Sequence, residues 1–317
     1  MKSINSPMFL VALLALFASP SPGQRTQEAI NKEENSAQLQ TRPASIADDA
    51  TSAANSGEND FIALNERGME QVSAGQYKEA IASFNKAIRL SPQASELHFN
   101  LGVAYSYLKR YEEAIASFEQ VIRLKPDHLK ALTSLGEVYY SLSRFAEAAR
   151  FLNRAIELNA SDALTLGRLG TVYFQLGRYE EAVSTLKQAV ARQNDLPMAN
   201  NNLGSALCKL KRYREALAYF EQDLRFSPET AEVYNNRGVA LHELKRHRAA
   251  IESYRKALSL KPDCAIAHFN LGATYFAVND KTNALAQVKR LRTLDPALAQ
   301  ELFASVYSNL VVSARQA

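Results

Sequence analysis

Ser95–His128, SELHFNLGVAYSYLKRYEEAIASFEQVIRLKPDH, is the stretch from which the rest of the chain can be read. Leu101, Gly102 and Tyr105 sit at helical spacing, Tyr111, Ala114 and Phe118 resume that spacing after a short break, and Pro126 closes the unit. Apolar side chains returning every three or four residues describe one buried face of a helix. Proline ends such a helix, because its ring carries no N–H and disfavours helix in the residue before it. The stretch therefore predicts helix A, a turn, helix B and a stop. A small residue in each helix, Gly102 and Ala114, is expected to mark where the two cross.

The same unit recurs on both sides without a gap. Glycine returns at Gly68, Gly102, Gly136, Gly170, Gly204, Gly238 and Gly272, and alanine at Ala80, Ala114, Ala148, Ala182, Ala216, Ala250 and Ala284. Seven units follow: 61–94, 95–128, 129–162, 163–196, 197–230, 231–264 and 265–298. Tyr105, Tyr139, Tyr173 and Tyr275 on helix A, with Phe84, Phe118, Phe220 and Tyr254 on helix B, are expected to fill the layers. Such an array buries one continuous core between neighbouring units and counts as a single elongated body.

This pattern resembles the tetratricopeptide repeat family, whose period and L-G-x2-Y…A-x3-F…P signature it carries. The resemblance implies an all-α, right-handed superhelical solenoid of antiparallel helix pairs, and implies that helix A residues line a concave groove for an extended peptide or a partner helix. Arg67 and Gln71 put a polar face on the first unit, as a terminal repeat needs. Leu298, Leu302, Phe303, Val306 and Leu310 recur at helical spacing and predict a capping helix, with residues 299–317 forming that helix and a tail.

Ahead of the array, residues 1–23 read as a secretory signal peptide, with Lys2 before an apolar run from Met8 to Ala18 and small residues Ser21 and Gly23 at the exit. The chain is therefore expected to be exported, to a periplasm or the outside, with membrane contact only if the leader stays attached. Residues 24–60 carry three basic and seven acidic side chains and almost no apolar period, a composition expected to remain a disordered linker. The whole chain has a formal charge of +4, too weak for a nucleic-acid footprint. Cys208 and Cys264 are expected to be small packed residues and not a disulfide.

No sequence motif marks an active site: there is no Gly-rich phosphate loop, G-x-S-x-G or C-x-x-C, so no catalysis and no cofactor is expected. His242 and His247 differ by one residue from the H-E-x-x-H metal spacing, and no metal is expected. Function is expected in the groove. Carried over from the resemblance, its sixth positions are Asn100, Ser134, Arg168, Asn202, Asn236 and Asn270, and Phe99 and Phe269 are expected to add apolar patches. An amide row offers donors and acceptors to a peptide backbone without demanding a sequence. A chaperone-type carboxylate clamp would need a lysine where Asn65, Phe99, Thr133, Gly167, Asn201, Asn235 and Phe269 stand, and there is none. Asp223 replaces a small residue at a position expected to be buried, and Arg237 replaces a leucine on the next unit. The two are expected to form a structural salt bridge, because an unpaired buried charge is costly. The reading is a non-catalytic interaction scaffold for a protein or peptide of no strong charge, with two rivals: a substrate-recruiting, glycosyltransferase-like subunit of an enzyme complex, or an envelope assembly factor anchored by an uncleaved leader.

Overall fold

The computed structural model describes residues 54–159, 161–196 and 198–314, with side chains from 60 to 305 among them. The leader and residues 24–53 of the linker lie outside that range. The described residues form helices and no strand. They group into two compact units, one ending at Leu176 and one starting at Gly177.

The first unit holds α1 (Ala54–Ser73), α2 (Tyr77–Leu90), α3 (Ser95–Tyr107), α4 (Tyr111–Leu124), α5 (Leu129–Ser141), α6 (Phe145–Leu158) and α7 (Ala163–Gln175). The second holds α8 (Tyr179–Arg192), α9 (Ala199–Lys209), α10 (Tyr213–Phe226), α11 (Ala231–Glu243), α12 (His247–Leu260), α13 (Ala265–Ala277), α14 (Lys281–Leu294) and α15 (Pro296–Ala314). Within each unit a helix packs on its neighbours in sequence, and the A helices α1 and α3, α5 and α7, α9 and α11, and α11 and α13 also touch each other. Helix α1 begins at Ala54, so the last residues of the expected linker are helical.

Each A–B turn has one backbone solution. The residue fifteenth in the unit is left-handed in all seven: Gly75, Lys109, Ser143, Gly177, Lys211, Lys245 and Asn279, with φ between 57° and 75°. At the second of these turns the Lys109 N–H donates to the Ser106 carbonyl at 2.9 Å and the Arg110 N–H to the Tyr105 carbonyl at 3.0 Å. This pair of reversed bonds satisfies the last carbonyls of the helix. Arg110, Arg144, Arg178 and Arg212 then precede the B helices and pair with Glu113, Glu147, Glu181 and Glu215 three residues on. These pairs are exposed and compensate helix-end charge, with little effect on stability.

The glycines serve a different contact from the expected one. A Cβ on Gly68, Gly102, Gly204 or Gly238 would lie 2.4–2.6 Å from a ring carbon of Phe84, Phe118, Phe220 or Tyr254, and one on Gly136 would lie 2.5 Å from Leu152. Each glycine thus makes room for the large residue sixteen positions on in its own hairpin, not for the alanine. The alanines are nonetheless fully buried at the interface. In the last hairpin that large residue is only Val288, and the space at Gly272 is filled from α15, by Leu302, 2.4 Å from where a Cβ would stand. Leu298, Ala299 and Leu302 are buried, so α15 covers the end of the last hairpin.

Candidate functional site

The asparagines of the A helices are where the sequence places them but not as a solvent-facing row. Asn100 and Asn270 are fully buried and Asn236 nearly so. Each donates its Nδ2 to an asparagine Oδ1 on the preceding A helix: Asn100 to Asn65 at 2.9 Å, Asn236 to Asn201 at 2.9 Å and Asn270 to Asn235 at 3.0 Å. The rule is a fifth-position acceptor on one hairpin and a sixth-position donor on the next. It lapses where the fifth residue is Phe99, because that ring offers no acceptor, and there Ser134 is buried in place of an amide. Asn202 stays half-buried.

Phe99 and Phe269 do not form groove patches. Both are buried, and Phe99 packs against Phe118 and His128 with ring centroids 5.6 and 5.3 Å apart, so their apolar area belongs to the core. Arg168 reaches back to Glu137 on the preceding A helix at 2.7 Å in a half-buried ion pair.

The Asp223–Arg237 bridge is also absent. Asp223 Oδ2 accepts the Asn201 N–H at 2.8 Å, while Arg237 donates to Ser253 Oγ at 2.7 Å and approaches Glu221 at 3.8 Å. The reason lies in α9, which begins two residues later in its repeat than the other complete A helices, after a left-handed Met198 that caps nothing. In α5 and α7 the third N–H is taken by the His128 and Asp162 side chains. In α9 that N–H belongs to Asn201, and Asp223 supplies the missing acceptor. Burial raises the Asp223 carboxyl above its ordinary range, against the single backbone N–H that lowers it.

Polar groups that sequence reasoning missed gather at the C-terminal ends of α9 and α11. His242 Nδ1 meets Thr274 Oγ1 at 2.9 Å, and Thr274 itself donates to the Asn270 carbonyl, so Nδ1 carries the proton. Burial, with His247 and Lys245 nearby, lowers His242 to about 4. The His242 and His247 rings do come together, 5.0 Å between centroids, yet no cluster of three metal-ligating side chains occurs among the described residues. Burial also pushes the Cys208 thiol up to about 12, too high for a nucleophile. Tyr213 is likewise pushed up to about 12, first by burial and then by Glu243. The periodic pattern hides His242, Cys208 and Thr274 because each occurs at its position in one repeat only, whereas Tyr213 repeats Tyr77, Tyr111 and Tyr179.

Four buried amide atoms of this second unit have no partner among the described residues: Asn200 Oδ1, Asn235 Nδ2, Asn236 Oδ1 and Asn270 Oδ1. A buried polar atom without a bond is costly and needs a reason. The set combines one donor and three acceptors on α9, α11 and α13, all closed to solvent.

Tetratricopeptide repeat models match residues 93–161 and 195–263, 139–200, and 246–299, and a TPR repeat model matches 68–108. No curated protein sequence matches the chain. Solved structures that share the fold include a tetratricopeptide repeat protein from Parabacteroides merdae, 18% identical, with a TM-score of 0.60 over 78% of this chain and 99% of that one. YrrB, described as a TPR protein with an unusual peptide-binding site, is 24% identical, with a TM-score of 0.53 over 58% of this chain and 95% of its own. Pseudomonas aeruginosa pilF is 21% identical, with a TM-score of 0.57 over 68% of this chain and 98% of its own.

Proposed function

Because the chain belongs to the tetratricopeptide repeat family, we propose that it is an exported, non-catalytic scaffold that holds an extended polypeptide along its A helices. The observation that carries this reading is the run of polar residues along the A helices, whose buried amides link one hairpin to the next and whose edge carries Asn202 and Ser205. A peptide backbone running along that edge can exchange hydrogen bonds with its amide and hydroxyl groups. Such bonding reads main chain, not side chain, and so favours a ligand without a strict sequence. Half-buried Asn202 and Ser205 border the row and offer further polar contacts.

Export rests on Lys2 and the apolar run from Met8 to Ala18. No described helix is long and apolar enough to cross a membrane. N-terminal sequencing of the protein recovered from its native cell tests the cleavage, with Gln24 expected as the first residue.

A photoreactive side chain at Asn202 tests the binding face. Capture of a polypeptide there, with little capture by the same probe at Arg89 or Arg123 on the B helices, supports the reading. Capture at the B helices alone overturns it.

A further inference from the structure

Two adjacent A–B turns differ from all the others in charge. The turns at 107–113, 141–147 and 175–181 balance each arginine with a glutamate, and the turn at 277–283 sets Asp280 against Lys281. Residues 209–215, KLKRYRE, and 243–248, ELKRHR, instead carry seven cations against two carboxylates, Glu215 and Glu243. Glu215 is already committed to Arg212, at 2.7 Å. Lys211, Arg214, Lys245, Arg246 and Arg248 are all exposed, and none of them has an ion-pair partner among the described residues.

The two turns are neighbours in space. Tyr213, the first residue of α10, contacts Glu243, the last residue of α11, and Glu243 feels both Lys211 from one turn and Lys245 from the other. Glu243 is itself half-buried, and burial works against its charge, so the only uncommitted carboxylate between the turns is a weak counterweight. The result is one positive edge spanning two hairpins.

We infer that this edge, formed by Lys211, Arg214, Lys245, Arg246 and Arg248, is a docking surface for an acidic segment of a partner protein, rich in aspartate or glutamate. It does not depend on the amide row of the A helices, since none of these five residues belongs to it. Charge complementarity argues for the sign of the partner, because opposed patches steer encounter and fix register. A protein segment is favoured over a lipid surface because neither turn contributes an exposed large apolar side chain to insert. It is favoured over nucleic acid because Tyr213, the tyrosine inside the two turns, is held against Glu243 and is not free to stack on bases.

The test uses the full chain and three fluorescent probes read by anisotropy: an oligoglutamate peptide, vesicles of anionic phospholipid and a single-stranded oligonucleotide. Oligoglutamate is expected to bind most tightly, and the double variant K211E/R248E to bind it at least about tenfold more weakly, with a shallower salt dependence. The matched variant R89E/R123E, which changes net charge equally on α2 and α4, is expected to bind as the parent does. Circular dichroism confirms that both variants keep their helices, as exposed charges should. Equal losses in the two variants would reduce the effect to net charge and overturn the inference, as would tighter binding of vesicles or oligonucleotide than of peptide. Capture at Asn202 can fail without touching this result, so the two proposals fail separately.

Discussion

The Asp223 carboxylate accepts the backbone N–H of Asn201 at 2.8 Å, so helix α10 caps the start of helix α9 from the side. A cap usually comes from the residue just before the helix, but here that residue is Met198, whose side chain makes no capping bond. Replacing Asp223 with alanine strands the N–H and is expected to lower stability by about 1–2 kcal/mol. Asparagine keeps an acceptor of the same shape, and D223N is expected to match or exceed the parent at neutral pH. Chemical denaturation of both variants checks the order, and an alanine variant as stable as the parent would remove the capping role.

The same carboxylate gives a pH dependence of known sign. Burial raises its folded pKa above the unfolded value, so the folded state holds this proton more tightly than the unfolded chain does. The stability it contributes is complete below the unfolded pKa and is lost as pH rises through the folded one. D223N has no such proton. Its advantage over the parent is therefore expected to grow as pH rises through and above the ordinary aspartate titration, near about 4, as measured by denaturation at each pH. A constant difference would show that the charge is not felt.

Ser143 is left-handed, with φ at 58°. A side chain in that region is crowded against its own carbonyl, whereas glycine is not. S143G is expected to stabilise the hairpin by about 0.5–1 kcal/mol. Conversely, G75A is expected to cost about 1 kcal/mol, although nothing lies within 4 Å of the added methyl. Thermal melts of the two variants should shift in opposite directions.

Gly102 meets the Phe118 ring, and its added Cβ would lie 2.6 Å from a ring carbon. G102A is expected to cost about 1–3 kcal/mol through overpacking. Adding F118V should recover part of the loss, since Val288 in the same place does not reach Gly272. A double variant no better than G102A would show that the ring is not the obstacle.

The hairpins, their register and their order were legible in the sequence, because the repeat presents the same apolar spacing seven times. The direction of the glycine contact was less so: Gly102 and Ala114 recur together, and periodicity alone cannot say that Phe118 occupies the space. The left-handed turn position shows in Gly75, Gly177 and Asn279 but is disguised by lysine at Lys109, Lys211 and Lys245. The amide row was located correctly by position, yet its solvent exposure was not, because the 35-residue step from Asn201 to Asn236 pairs two different rows. Asp223 stood out as a charge in a small-residue position. Its partner was a backbone N–H, which no residue pattern displays, freed by the late start of α9.

Leu302 plugs the space at Gly272 that the hairpins of Gly68, Gly102, Gly136, Gly204 and Gly238 fill from their own second helices. The last hairpin is thus made complete only by the segment that ends the array, which couples termination to folding. A truncated product stopping at Asp295 would offer a leucine-sized socket with an apolar rim, open to the corresponding helix of any second copy. The closing helix therefore acts as a stopper, with Leu298, Ala299 and Leu302 buried where a further hairpin would otherwise stack.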